Sequence, residues 1–323
     1  MLRYRIIFGL LFSALLVGLF YLDSHLADSW PKAPWLAPPG TILVLALLTL
    51  IPLALREMQG LLRRQNVHIS MRVCVAAALL SMAWPWISQV ANEVKQFPTT
   101  QQQTAPAWAT VAKHFDTVKP HYLVPTIMAA SLLGAFIMHT RHHRIEGAIT
   151  NAGGTLLAIV YLGVLPGFFL PICLTHGSWM VLGIVAIVKL ADVGAYLTGR
   201  LIGRHKLIPW LSPGKTIEGF IGGLAFAGAA GVVLWHLKVP PHPADSNAVV
   251  TALRWVVPGA LLGMVLGAVG QLGDLMESLL KRDAGVKDSG KVPGFGGVLD
   301  LLDSPLLAAP VAYWMLKLLG HVT

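Results

Sequence analysis

The sequence predicts an all-α polytopic membrane protein with about nine transmembrane helices and a cytoplasmic N-terminus, and three observations carry that expectation. Hydrophobic residues make up 55% of the 323 positions and charged residues only 12%, against about 25% charged in an ordinary soluble domain. The apolar residues gather into runs of the length that a ~30 Å hydrocarbon core demands of a helix. The basic residues fall between those runs with a bias. Alternating sides from an inner N-terminus places 16 of the 24 Lys and Arg inside and six outside, with Lys189 and Lys317 within runs. That asymmetry is the one the positive-inside rule describes.

The first run, 6–22, follows Arg3 and Arg5. It is long for the apolar core of a signal peptide, and the residues near His25 make a poor cleavage site, so it is expected to be a retained helix. Pro31, Pro34, Pro38 and Pro39 mark a loop. The second run, 41–55, is short and contains Pro52, which tilts or kinks it. Arg56, Arg63, Arg64 and Arg72 form a basic stretch before the third run, 73–90, and the polar stretch 91–119 reads as a long external loop. After the fourth run, 122–138, come His139, His142 and His143, with only Glu146 near enough to complete a metal site. A basic interfacial anchor suits them better. Runs 149–170, 179–197, 217–237, 255–276 and 305–319 complete the set. The seventh is rich in Gly and Ala, which suits close helix packing, and Gly259, Gly263, Gly267 and Gly270 of the eighth would permit a homodimer.

Charge and cysteine content narrow the function classes. The formal charge is +9, which in a soluble chain would suggest nucleic acid. Here the basic residues sit in short loops beside membrane spans, without the aromatic interleaving of single-strand binding, so membrane lipids and phosphate ligands account for them and nucleic acid does not. Cys74 and Cys173 each stand alone in apolar sequence, so they read as buried small residues rather than as zinc ligands or a disulfide.

Three constellations carry chemistry. In 189–200, KLADVGAYLTGR, the residues Asp192, Tyr196 and Arg200 fall at i, i+4 and i+8 on one helical face. An acid within an apolar helix is a functional candidate, and its structural alternative is pairing with Lys189 or Arg200. In 212–219, SPGKTIEG, a glycine and Lys215 precede a helix, which suits an anion. The stretch resembles the end of a P-loop, but Pro209 stands where the leading glycine is required. The same residues also suit a capped helix start, with Ser212 as N-cap and Pro213 in the first turn. The third stretch, 271–304, holds six of the chain's 15 acidic residues and four basic ones. Asp274, Ser278, Lys281 and Arg282 form one stripe at a helix end, followed by Lys287, Asp288, a turn with Gly294, Gly296 and Gly297, and then Asp300 and Asp303. Carboxylates at two helix ends suit Mg²⁺ held together with phosphate oxygens.

The run 278–303, SLLKRDAGVKDSGKVPGFGGVLDLLD, resembles the signature of the phosphatidate cytidylyltransferase, or CDP-diacylglycerol synthase, family. The DVGAYLTGR and SPGKTIEG stretches upstream are similar to that family's motifs, in the same order. The resemblance covers about 180–320 and divides the chain into variable N-terminal membrane helices, 1–147, and a catalytic membrane domain, 148–323. Two positions depart from the pattern: Phe295 replaces a histidine and Leu301 an arginine. The resemblance implies transfer of CMP from CTP to phosphatidate, with Mg²⁺ and a possible second, monovalent or divalent, cation. It implies Asp274 and Asp300 as principal metal ligands, with Asp303 and Asp192 in support. Ser212, Lys215, Thr216 and Glu218 would serve the nucleotide, and Ser278, Lys281, Arg282, Lys287, Gly296, Gly297 and Tyr196 would complete the substrate site. Asp288 would order the loop or the second cation. The expected setting is a bacterial cytoplasmic membrane with the site on the cytoplasmic side. Two other classes stay open: a transporter or channel with Asp192 in its pathway, and a polyprenyl-phosphate sugar-phosphate transferase.

Overall fold

The computed structural model describes residues 2–29, 38–96, 120–140, 145–238, 248–290 and 296–320. Apolar runs without nearby water can satisfy their backbone only as helices, and nearly all described residues are helical. The elements are α1 (Leu2–Ser29), α2 (Thr41–Arg64), α3 (Met71–Gln96), α4 (Pro120–Thr140), α5 (Ala148–Ile159), a π-helical turn (Val160–Val164), α6 (Leu165–Gly167), α7 (Phe169–His176), α8 (Ser178–Ile202), β1 (Lys206–Ile208), β2 (Ser212–Thr216), α9 (Ile217–Lys238), α10 (Ala248–Asp283) and α11 (Val298–Gly320). Among the described residues, seven stretches are long and apolar enough to cross a membrane, from Thr41–Arg64 to Arg254–Asp283. The first and last expected runs also form helices, α1 and α11, but are not among the seven. Most of the expected external loop and the positions of His142 and His143 lie outside the described residues.

The chain forms two compact units, Met1–Trp179 with Asp288–Leu299, and Met180–Lys287 with Asp300–Thr323. In the first unit the core comes from Ile51, Leu55 and Met58 of α2, Cys74 and Met82 of α3, and Leu162, Leu170 and Ile172. Helix α3 lies close against the π-helical turn: a Cβ on Gly163 would come within 2.6 Å of the Ala78 Cα. Asp23, 2% exposed, does the work of a missing cap. Helix α2 starts behind Gly40, which has no side chain to offer. Asp23 accepts the N–H of Gly40 at 3.0 Å and that of Ile42 at 2.8 Å, together with the Ser178 hydroxyl. Orphan donors at a helix start are thereby satisfied from a distant part of the chain.

The second unit is built on small residues. A Cβ on Gly231 would meet Gly263 Cα at 2.7 Å, one on Gly267 would meet Ala227 Cβ at 2.6 Å, and one on Gly270 would meet Val188 at 2.6 Å. The stripe Gly259, Gly263, Gly267 and Gly270 is therefore occupied within the chain, by α8 and α9. The expectation of close packing holds, and the stripe is not a free dimer face.

The all-α expectation misses one short hairpin. β1 and β2 pair antiparallel, with Lys206 opposite Thr216 and Ile208 opposite Ser212. Ser212 and Pro213 therefore lie in a strand and do not cap or open the helix. Thr216 is the cap instead: its Oγ1 accepts the Gly219 N–H at 3.1 Å. Glu218, in the first turn of α9, reaches back to the hairpin, accepting the Arg204 N–H at 3.1 Å and sitting 2.6 Å from His205 Nδ1.

Candidate functional site

Helix α10 runs well past its apolar portion, so its last turns carry polar residues on one face. Asp274, Glu277 and Lys281 are at i, i+3 and i+7 and meet there. Helix α11 begins just before Asp300 and brings Asp303 to the same place. One carboxylate oxygen each from Asp274, Glu277 and Asp303 lies within 4.8 Å of the others. The close approach depends on Gly273, where a Cβ would come within 2.6 Å of the Asp303 carbonyl oxygen and 3.2 Å of Ser304 Cα. Backbone cannot swing aside as a flexible side chain can. Gly273→Ala is expected to push the two helices apart and to lower turnover more than melting temperature, as read by paired rate and unfolding measurements.

Three lysines meet these acids. Lys215 Nζ lies 2.5 Å from Asp274 Oδ2 and donates to the Gln271 carbonyl at 3.3 Å. Lys281 lies 2.5 Å from Glu277 Oε2 and also hydrogen-bonds Asp300 Oδ1. Lys189 sits 3.5 Å from Asp303 Oδ1 and 3.8 Å from Asp192 Oδ2. Asp303 Oδ1 further accepts the Ser304 hydroxyl at 3.0 Å.

Five carboxylates (Asp192, Asp274, Glu277, Asp300 and Asp303) thus face three ammonium groups, leaving two formal negative charges. Glu277 is fully buried, and neither of its oxygens has a hydrogen-bond partner. The Lys281 contact supplies charge at 2.5 Å without hydrogen-bond geometry. Buried oxygens without partners are costly. An uncompensated double charge beside them fits a hard divalent cation with oxygen ligands. These three carboxylates form the candidate metal group among the described residues.

The structure brings the expected residues together selectively. Asp274 and Asp303 meet, and Lys215 and Lys281 pair with the group. Asp300 lies one lysine away from it and Asp192 likewise, each holding an ammonium that touches a member. Tyr196 is exposed and accepts a hydrogen bond from Arg200 at 2.9 Å. Thr216 is buried against the glycine notch of α8, where a Cβ on Gly199 would meet its Oγ1 at 2.9 Å. Glu218 is engaged by the hairpin. Ser212 and Ser278 are half-buried, while Arg282 and Lys287 are exposed.

Asp288, Gly296 and Gly297 belong to the first unit. Gly296 has a φ of 87°, which favours glycine. Gly297 lies against Glu57, where a Cβ would come within 2.5 Å of Oε2. Phe295 and Gly294 fall outside the described residues. Leu301 is half-buried.

Glu277 and Glu57 are two acids to which the sequence pattern assigned no role. Glu277 was legible in principle from its spacing to Asp274 and Lys281. Glu57, whose partners are more than 230 residues away, was not.

A model of the cytidylyltransferase family matches residues 33–319. The chain is 34% identical over 234 residues to a phosphatidate cytidylyltransferase of Synechocystis sp., covering 63% of this chain and 74% of the relative. It is 35% identical over 195 residues to one of Chlamydia trachomatis, and 41% identical over 162 residues to one of Staphylococcus aureus. Those alignments cover 58% and 50% of this chain, and they span 61% and 57% of the two relatives.

Proposed function

Because the chain belongs to the cytidylyltransferase family, we propose that it is a membrane nucleotidyltransferase that moves CMP from CTP to phosphatidate, yielding CDP-diacylglycerol and pyrophosphate. The observation that carries this reading is the group of half-buried Asp274 with buried Glu277 and Asp303, ringed by three lysines at the end of a membrane helix.

In the reaction a phosphate oxygen of phosphatidate bonds to the α-phosphorus of CTP. The bond from that phosphorus to the oxygen bridging to the β-phosphate breaks, and pyrophosphate leaves with the electron pair. The attacking oxygen is already anionic at neutral pH, so no serine–histidine or cysteine–histidine pair is required. Catalysis reduces to holding two anions together and neutralising their charge.

Asp274, Glu277 and Asp303 would hold Mg²⁺, which when bound offsets the charge of the phosphates and draws electron density from the α-phosphorus. Asp300 and Asp192, expected from the sequence as ligands, serve in this reading by holding Lys281 and Lys189. An ammonium has three donors, so Lys215, with Asp274 and the Gln271 carbonyl, and Lys281, with Glu277 and Asp300, each keep one N–H for a phosphate oxygen. Ser212, Ser278, Arg282 and Lys287 complete the phosphate contacts, and Asp288 orders the loop or a second cation. Residues 148–323 carry these motifs. In this reading the chain crosses a bacterial cytoplasmic membrane about nine times with its N-terminus inside, and the site opens to the cytoplasm.

Lys215→Ala is expected to raise the KM for CTP, lower kcat, or both; unchanged kinetics would remove Lys215 from the site. The reading is tested by substrate choice. Purified protein with Mg²⁺ should convert CTP and phosphatidate. Turnover of UTP-linked sugars with a polyprenyl phosphate instead would favour the sugar-phosphate transferase reading.

A further inference from the structure

Glu57 sits on α2 in the part of the chain that carries none of the catalytic motifs. Its carboxylate nevertheless gathers both ends of the glycine turn. Oε1 accepts the Val298 N–H at 2.9 Å, and Oε2 accepts the Leu299 N–H at 2.8 Å and the Ser289 hydroxyl at 3.1 Å. Val298 and Leu299 are the first two residues of α11, whose opening N–H groups have no partner within the helix. A carboxylate there gains both hydrogen bonds and the favourable end of the helix dipole. The glycines match it: a Cβ on Gly290 would come within 2.9 Å of Glu57 Cδ, and one on Gly297 within 2.5 Å of Oε2. Only bare backbone on both sides of the turn lets this one side chain enter.

We propose that Glu57 is a positioning residue of the transferase site. Its carboxylate ties Ser289 to the first N–H groups of α11 and fixes the point at which that helix starts, so that Asp300 and Asp303, which follow within its next turn, are presented in one register. The proposal rests on the functional reading above. It also gives Gly290 and Gly297 a partner inside the protein.

Asp23 provides the comparison. It too accepts two N–H groups at a helix start, those of Gly40 and Ile42, but the helix it caps begins without a motif residue. The full-length chain, purified in detergent, is compared as wild type, Glu57→Gln and Asp23→Asn. Glutamine keeps the shape of Glu57 but turns an amide N–H₂ toward a donor. Hydrogen–deuterium exchange without nucleotide should quicken at Val298 and Leu299 in Glu57→Gln and stay at the wild-type rate there in Asp23→Asn. The kcat per folded molecule should fall about ten- to a hundredfold in Glu57→Gln, as a misplaced group allows, and half-saturation by Mg²⁺ should shift upward. Asp23→Asn should lower the melting temperature and keep kcat. Unchanged exchange at Val298 and Leu299, or a kcat loss in Glu57→Gln no larger than in Asp23→Asn, overturns the proposal. A wild-type chain that makes no CDP-lipid rejects the functional reading instead, and the exchange comparison then decides on the clamp by itself.

Discussion

Asp274→Asn is expected to lower turnover by about 10²–10³-fold, the scale on which removal of a preorganised electrostatic group acts. The side chain keeps its size, so packing beside Gly273 is unchanged. What changes is charge. The group loses one of its two uncompensated negative charges, and Lys215, now 2.5 Å from a carboxylate oxygen, faces a neutral amide. Both effects weaken cation binding, so more Mg²⁺ should be needed for half-saturation. Initial rates across a Mg²⁺ series, set beside thermal unfolding of the same preparations, measure this. Near-normal rates at low Mg²⁺ would reject Asp274 as a ligand.

Lys281→Met is expected to be the most destabilising single change at the site. The Lys281 side chain is 11% exposed and stands between Glu277, 0% exposed, and Asp300, 14% exposed. Methionine fills a similar volume but leaves buried Glu277 and half-buried Asp300 together without a counter-charge. Breaking a buried pair in this way costs about 3–5 kcal/mol. Adding Glu277→Gln removes one stranded charge and should restore part of the loss. The double variant should thus melt above Lys281→Met while remaining inactive. A single variant as stable as wild type would show that the ammonium contributes no net stability between these acids.

Much of this arrangement was legible in the sequence because helices declare themselves locally. The apolar runs that became α8, α9 and α10 were placed by length, and the polar stripe at the end of α10 by its period. The hairpin was not legible. Ser212, Pro213 and a following glycine carry the chemistry of a helix start, while the strands have three and five residues, too few for alternation to register. Asp300 was expected as a principal ligand and Asp303 in support, and packing instead brings Asp303 to Asp274 while Asp300 takes Lys281. Glu57 stood beside Arg56, in a stretch whose charges were accounted for by membrane topology. Its partners at 289, 298 and 299 leave no local pattern, since a contact across 232 residues or more is a product of the fold alone. Gly296 and Gly297 stood out for their closeness in sequence, and the carboxylate that lies beside Gly297 left no local sign there.

The central claim is that the chain transfers a cytidylyl group onto a lipid phosphate. Purified protein with Mg²⁺ and phosphatidate should be given CTP labelled either at the α-phosphate or at the γ-phosphate. The account predicts that α-label enters the lipid fraction as CDP-diacylglycerol and γ-label leaves entirely as pyrophosphate, both abolished by chelation of the metal. Label from the γ-phosphate in the lipid, or no labelled lipid from either nucleotide, would contradict it.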